Sequence, residues 1–233
     1  MNRVLAAARM QQVHPLLSIG VPWAIALGAF AINLVVWRVG DVAAHSPSDG
    51  FTGGLSALYA TVVVVFAQAV TQMLPFAMGM SLSRRDFYLG TALAALVQSV
   101  GYGSVLTALT AVEHATGGWG VQLHFWAPRA LDVGNLALQF VVFTMPLIAC
   151  AFLGMGLGVV FKRWGAPGMY ALSLGLLLTL GLLAIWTTWQ RAWDDLGSWL
   201  ADQSVPSLTI GVPAPLTVAL AAATFLGLRR TVP

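Results

Sequence analysis

The stretch GNLALQFVVFTMPLIACAFLGMGLGVVF, residues 134–161, contains no Asp, Glu, Lys, Arg or His. A short connection, KRWGAPG (162–168), leads to a second uncharged run, MYALSLGLLLTLGLLAIWTTW (169–189). A helix rises about 1.5 Å per residue, so about 20 apolar residues cross the hydrocarbon layer of a bilayer. Each run is long enough to do so alone. Four further runs of this kind occupy 16–37, 55–80, 89–112 and 209–228. The expectation is an all-α membrane protein, a single transmembrane domain over 1–233 with six transmembrane helices. Pro75 and Pro146 fall inside the two longest runs and are expected to kink them.

Composition points the same way. Hydrophobic residues make up 58% of the 233 and charged residues 8%, against about 25% charged in a soluble domain. A water-soluble surface cannot be built from so few charges. The net charge of +3 is scattered, and no basic patch with interleaved aromatics supports nucleic-acid binding. Cys150 is the one cysteine. It excludes an intrachain disulfide and a multi-cysteine metal site, and its position in an apolar run suits a small buried hydrophobe. The first run exceeds a signal-peptide core of about 7–15 residues, so it is expected to be an uncleaved first span.

Orientation follows from the basic residues. The segments 1–15, 81–88, 162–168 and 229–233 hold Arg3, Arg9, Arg84, Arg85, Lys162, Arg163, Arg229 and Arg230, eight of the 11 Lys and Arg. The alternate segments hold Arg38, Arg129 and Arg191, and with them Asp41, Asp49, Glu113, Asp132, Asp194, Asp195 and Asp202. Both termini are therefore expected in the cytoplasm. Trp37, Trp119, Trp126, Trp186, Trp189, Trp193 and Trp199 then gather at the outer ends of spans, as an interfacial aromatic belt would. Residues 1–14 read as an amphipathic helix on the cytoplasmic surface, ended by Pro15, and 190–200 as an outer interfacial helix. The longest outer loop, 113–133, carries Gly117, Gly118, Gly120 and Pro128, which oppose regular structure.

The interiors of all six runs lack ionisable acids, bases and histidine, which argues against a proton- or sodium-coupled carrier. Gln68 and Gln72 share a helix face before Pro75 and form a candidate substrate path; hydrogen bonding between helices is the preferred account of them. Gly154, Gly156 and Gly158 give a small-residue face suited to close packing. His14, His45, His114 and His124 are dispersed. Only His114 and His124 share a loop with Glu113, where a metal is conceivable, although isolated surface histidines are commoner. No catalytic residue, no metal site and no phosphate-binding glycine loop is identified, so the chain carries no ATPase motif of its own. The most distinctive cytoplasmic segment is Ser83-Arg84-Arg85-Asp86-Phe87-Tyr88, where Ser83 and Asp86 have the spacing of a helix capping box.

With this segment in its wider frame, Gly79 to Gly90 (GMSLSRRDFYLG), the chain resembles the transmembrane permeases of the type-2 ABC exporter family of bacteria. Six spans, an amphipathic helix before the first, and a short amphipathic segment between the fifth and sixth complete the likeness. The resemblance implies that Ser83, Arg84, Arg85, Asp86, Phe87 and Tyr88 form the coupling helix that contacts a separate ATP-binding subunit. It implies that ATP and Mg are bound by that partner, with no cofactor in this chain. It implies pairing with a second copy or a paralogous permease, in a bacterial cell membrane with lipid around it. The expected activity is export of a hydrophobic or amphipathic substrate, drug or lipid-like. The alternative is a non-transport sensor, scaffold or immunity protein acting through helix contacts in the bilayer.

Overall fold

Every regular element is helical among the residues that the computed structural model describes, 3–11, 16–40, 53–128 and 131–229. The expectations placed on His14, Pro15, Asp41, His45, Asp49, Arg129 and Arg230 concern residues outside the described ones. A short helix α1 (Arg3–Met10) precedes α2 (Ser18–Val39), α3 (Gly54–Gly79), α4 (Arg84–Ala115) and α5 (Leu136–Trp189). A nine-residue helix α6 (Trp193–Ala201) and α7 (Ser207–Arg229) follow. Five of these, α2, α3, α4, α5 and α7, are long and apolar enough to cross a membrane. The protein is therefore built as a multi-pass membrane protein.

The apolar runs 134–161 and 169–189 are merged into α5. Its 54 residues would extend about 81 Å if straight, well over twice the hydrocarbon thickness. It is not straight. Gly165 has φ 64° and ψ −155°, a region open essentially to glycine alone. A Cβ on Gly168 would lie 3.6 Å from the Val160 carbonyl oxygen, whereas residues eight apart in a straight helix are separated by about 12 Å. The chain folds back at Gly165 into two arms. Pro146 leaves the backbone helical, so the sharp bend in α5 lies at Gly165.

The first arm is the centre of the bundle and packs against α3, α4 and α7. Glycines set the distance. A Cβ on Gly158 would meet the Ala67 carbonyl oxygen at 2.8 Å, and one on Gly154 would collide with the Val63 carbonyl. Four residues separate each pair on both helices, so α3 and α5 touch backbone to backbone along one turn. Gly156 faces α7 instead, where a Cβ would lie 3.5 Å from the Thr224 hydroxyl. The second arm is exposed at every residue from Ala171 to Trp186, a surface for lipid or another subunit.

Prolines inside membrane helices must be accommodated without water. Proline lacks an N–H and crowds the carbonyl four residues back. Three wide π-turns solve this: Leu16–Gly20, Ala69–Met73 and Ser207–Gly211 end two residues before Pro22, Pro75 and Pro213. In the first, the Ser18 carbonyl accepts from Gln98 Nε2 at 3.0 Å and from the Tyr102 hydroxyl at 3.2 Å, both on α4. The polar group that Pro22 cannot satisfy is thus satisfied from a neighbouring helix.

The glycine pattern makes a discriminating prediction. Gly154→Val or Gly158→Val forces α3 and α5 apart and should cost about 3 kcal/mol or more. Gly156→Ala meets only ordinary contact and should cost less than about 1 kcal/mol. Thermal unfolding in detergent, followed by tryptophan fluorescence, measures the difference.

Candidate functional site

The Ser83–Tyr88 segment is the first turn of α4, not a separate helix. Ser83 is the N-cap: its Oγ accepts from the Asp86 N–H at 3.0 Å and donates to Asp86 Oδ2 at 2.7 Å. The carboxylate also sits at the positive end of the helix dipole. The Ser83 N-cap read from the sequence is present, but the Asp86 carboxylate takes the Ser83 hydroxyl rather than the Ser83 backbone N–H that would complete a capping box. Its two aromatics face inward. Phe87 is fully buried and Tyr88 nearly so, while Ser83 and Arg85 are exposed and Arg84 and Asp86 half-buried.

These inward contacts tie three helices to one turn. The Tyr88 hydroxyl donates to the Ala221 carbonyl of α7 at 2.9 Å, and its ring lies 5.3 Å from that of Phe225. Arg84 Nη1 donates to the Arg229 carbonyl at 3.2 Å. On the other side, α1 crosses α4 at Gly90, where a Cβ would lie 2.8 Å from Ala8 N and 2.9 Å from the Val4 carbonyl oxygen. Gln11 Nε2 then donates to the Thr91 hydroxyl at 2.9 Å. The sequence marks α1 as amphipathic; that its apolar side docks on Gly90 depends on tertiary packing that spacing alone does not encode.

Gln68 and Gln72 line one small cavity of about 110 Å³ together with Gln11, Ser18 and Met73. Both are exposed on α3. Gln11 was not singled out from the sequence, because its convergence with α3 depends on α1 docking at Gly90.

At the other end of α4 the structure holds a feature the sequence placed only in an outer loop. Glu113 is fully buried. Its carboxylate accepts from Trp119 Nε1 at 3.0 Å, from the backbone N–H of Phe125 at 3.0 Å and of Trp126 at 3.1 Å, and from that of Ala127 at 3.3 Å. Charge-assisted bonds of this kind are among the strongest available. They hold a loop whose residues Gly117, Gly118, Trp119, Gly120 and Gln122 all have positive φ, strained at the two non-glycine positions. Phe30 of α2 packs edge-on against Trp119 and Phe125, with centroids 4.9 and 5.2 Å away. Trp126 is consequently a core residue rather than part of an interfacial belt; Trp186, Trp189, Trp193 and Trp199 are exposed, as belt residues would be.

The metal conceived for Glu113, His114 and His124 finds no support in this geometry. The Glu113 oxygens are occupied by N–H donors, and His114 Nε2 lies 3.0 Å from Asp132. Among the described residues no group of three or more His, Cys, Asp or Glu could hold a metal ion. Comparison of the chain with protein-family models, with curated proteins and with solved structures found no match.

Glu113→Gln should release the loop. One carbonyl oxygen replaces two charged acceptors, and the amide turns its own N–H groups toward donors. Hydrogen exchange of the Phe125, Trp126 and Ala127 amides should accelerate at least about tenfold, corresponding to about 1.4 kcal/mol, while amides in the middle of α4 keep their protection.

Proposed function

We propose that the chain is the membrane subunit of an ATP-driven exporter of the type-2 ABC class, crossing the bilayer six times with both ends in the cytoplasm. Two arms of α5, each exceeding the length of a span, supply the fourth and fifth crossings and meet at Gly165. Lys162 and Arg163 then lie on the same side as Arg84, Arg85 and Arg229, consistent with the positive-inside rule.

The observation that carries the proposal is the junction at the start of α4. A capped turn offers Ser83, Arg84, Arg85 and Asp86 outward, while Phe87 is buried, Tyr88 holds α7 and the next turn holds α1 at Gly90 and Thr91. A force applied to the outward face by an ATP-binding subunit reaches three helices at once. The contact surface for that subunit is the charged face; Phe87 and Tyr88 act as the internal transmission.

ATP binding closes the ATPase pair, displaces this turn, and opens a path between two membrane subunits. The cavity beside Gln68 and Gln72, at about 110 Å³, is smaller than a ligand pocket of about 300–1,000 Å³. It widens only with the helix movement that α1 transmits. The spans themselves are apolar apart from such amides and hydroxyls, which favours a hydrophobic or amphipathic cargo.

Purification from native membranes tests this. The wild-type chain should carry vanadate-sensitive ATP hydrolysis with it. An Arg84→Ala/Arg85→Ala variant should lose at least about tenfold of that associated activity while its stability falls by no more than about 1 kcal/mol, the worth of the lost Arg84–Arg229 bond, and Arg38→Ala, at the other end of the bundle, should lose none. Absence of ATPase activity from the wild-type preparation, or its full retention in the double variant, would sink the proposal.

A further inference from the structure

Between the two arms of α5 and α7 lies a cleft of about 480 Å³, for which the transport reading has no use. One wall is a helical stripe on α5 that includes Gly156, Val160 and Arg163; the facing wall is a stripe on α7 that includes Ala223, Thr224 and Gly227. Spacings of three, four and seven on α5, and of three and four back from Gly227 on α7, place each set on one helix face. Leu172, at the start of the second arm, also lines the cleft. The space exists because glycine and alanine stand where larger side chains would fill the gap between helices.

Two features distinguish this cleft from a plain packing gap. The Thr224 side chain is only 2% exposed, it lines the cleft, and its hydroxyl has no hydrogen-bond partner. A buried hydroxyl left without a partner is destabilising, so the site lacks an acceptor. At the mouth stands Arg163. Its guanidinium lies 4.6 Å from the Trp164 ring centroid, and no carboxylate among the described residues pairs with it. Lys162 is adjacent, and Arg229 lies two residues beyond Gly227. The cleft is therefore apolar within, has one vacant hydrogen-bond donor partway down, and is cationic at its rim.

We propose that this cleft binds an anionic phospholipid. An acyl chain fills the space between α5 and α7, an ester carbonyl accepts the Thr224 hydroxyl, and the phosphate pairs with Arg163. The order of these groups matches the lipid, whose esters lie deeper than its phosphate. Gly156, which approaches the Thr224 hydroxyl, is seven residues below Arg163, about 10 Å along the helix. The chemistry calls for an anion with an apolar tail. The lipid source is favoured over free phosphate because the tail alone uses the apolar volume. The site is independent of the transport reading and stands if that reading fails.

Trp164 lines the cleft and reports on it directly. The full chain is reconstituted in phosphatidylcholine vesicles containing either brominated phosphatidylglycerol or brominated phosphatidylcholine at the same fraction. The difference between wild type and Trp164→Phe isolates the signal of this ring. Quenching of Trp164 should show about fivefold enrichment of the anionic lipid, the preference one basic residue gives near a membrane surface. Arg163→Gln should abolish the preference, and Ala223→Leu, which narrows the cleft without changing charge, should reduce quenching by both lipids. Equal quenching by the two lipids in the wild type, or a preference that survives Arg163→Gln, would overturn the proposal. So would unchanged quenching in Ala223→Leu. Reversal of the quenching by millimolar inorganic phosphate would assign the rim to a soluble anion and overturn it as well.

Discussion

In the hydrocarbon layer every backbone N–H and carbonyl must find its partner within the protein. The fold of this chain depends on meeting that constraint at its prolines. Pro22, Pro75 and Pro213 each follow a π-turn, which spaces the helix wide enough to admit the ring. At Pro22 the freed Ser18 carbonyl draws Gln98 and Tyr102 from α4. A local defect in α2 thereby becomes a tie between helices. Gly165 meets the constraint differently: the chain leaves helical geometry where cationic Lys162 and Arg163 mark the interface, and turns back.

The 32 residues of α4 connect two unlike ends. At its N-terminus a capped turn holds α1 and α7 through Tyr88, Arg84 and Gly90. At its C-terminus a buried carboxylate holds a strained loop against α2. A negative charge at a helix C-terminus opposes the dipole, yet the four donors gathered on Glu113 offset this. The sealed end at Glu113 and the open, charged end at Ser83 make α4 a rod fixed at one end and exposed at the other. In the transport proposal this asymmetry has a use: a partner would push the open end against the sealed one.

Much of the architecture was legible. The apolar runs matched helices because a 20-residue uncharged segment has few alternatives in lipid. The Ser83–Asp86 cap was legible because it is local. Gly154 and Gly158 were legible as packing residues, but only the structure separates them from Gly156, which faces another helix. What the sequence concealed required contacts between distant segments. Glu113 looked like an outer-loop acid because its donors lie 6 to 14 residues further on, in a loop whose shape glycine and strain determine. Nothing local in the sequence marks Gln98, whose partner is a backbone atom 80 positions away. Phe87 and Tyr88 looked available to a partner because hydrophobicity does not reveal which way an interfacial aromatic turns.

The central claim is that the chain folds back at Gly165 and returns both arms of α5 through the same bilayer. Single cysteines in a Cys150→Ser background, labelled with a membrane-impermeant maleimide, test it directly. Ser83 and Ala166 positions should label only in inside-out vesicles, and Gln122 and Ser198 positions only in right-side-out vesicles. Labelling of the Ala166 position from the same side as Gln122 would contradict the account.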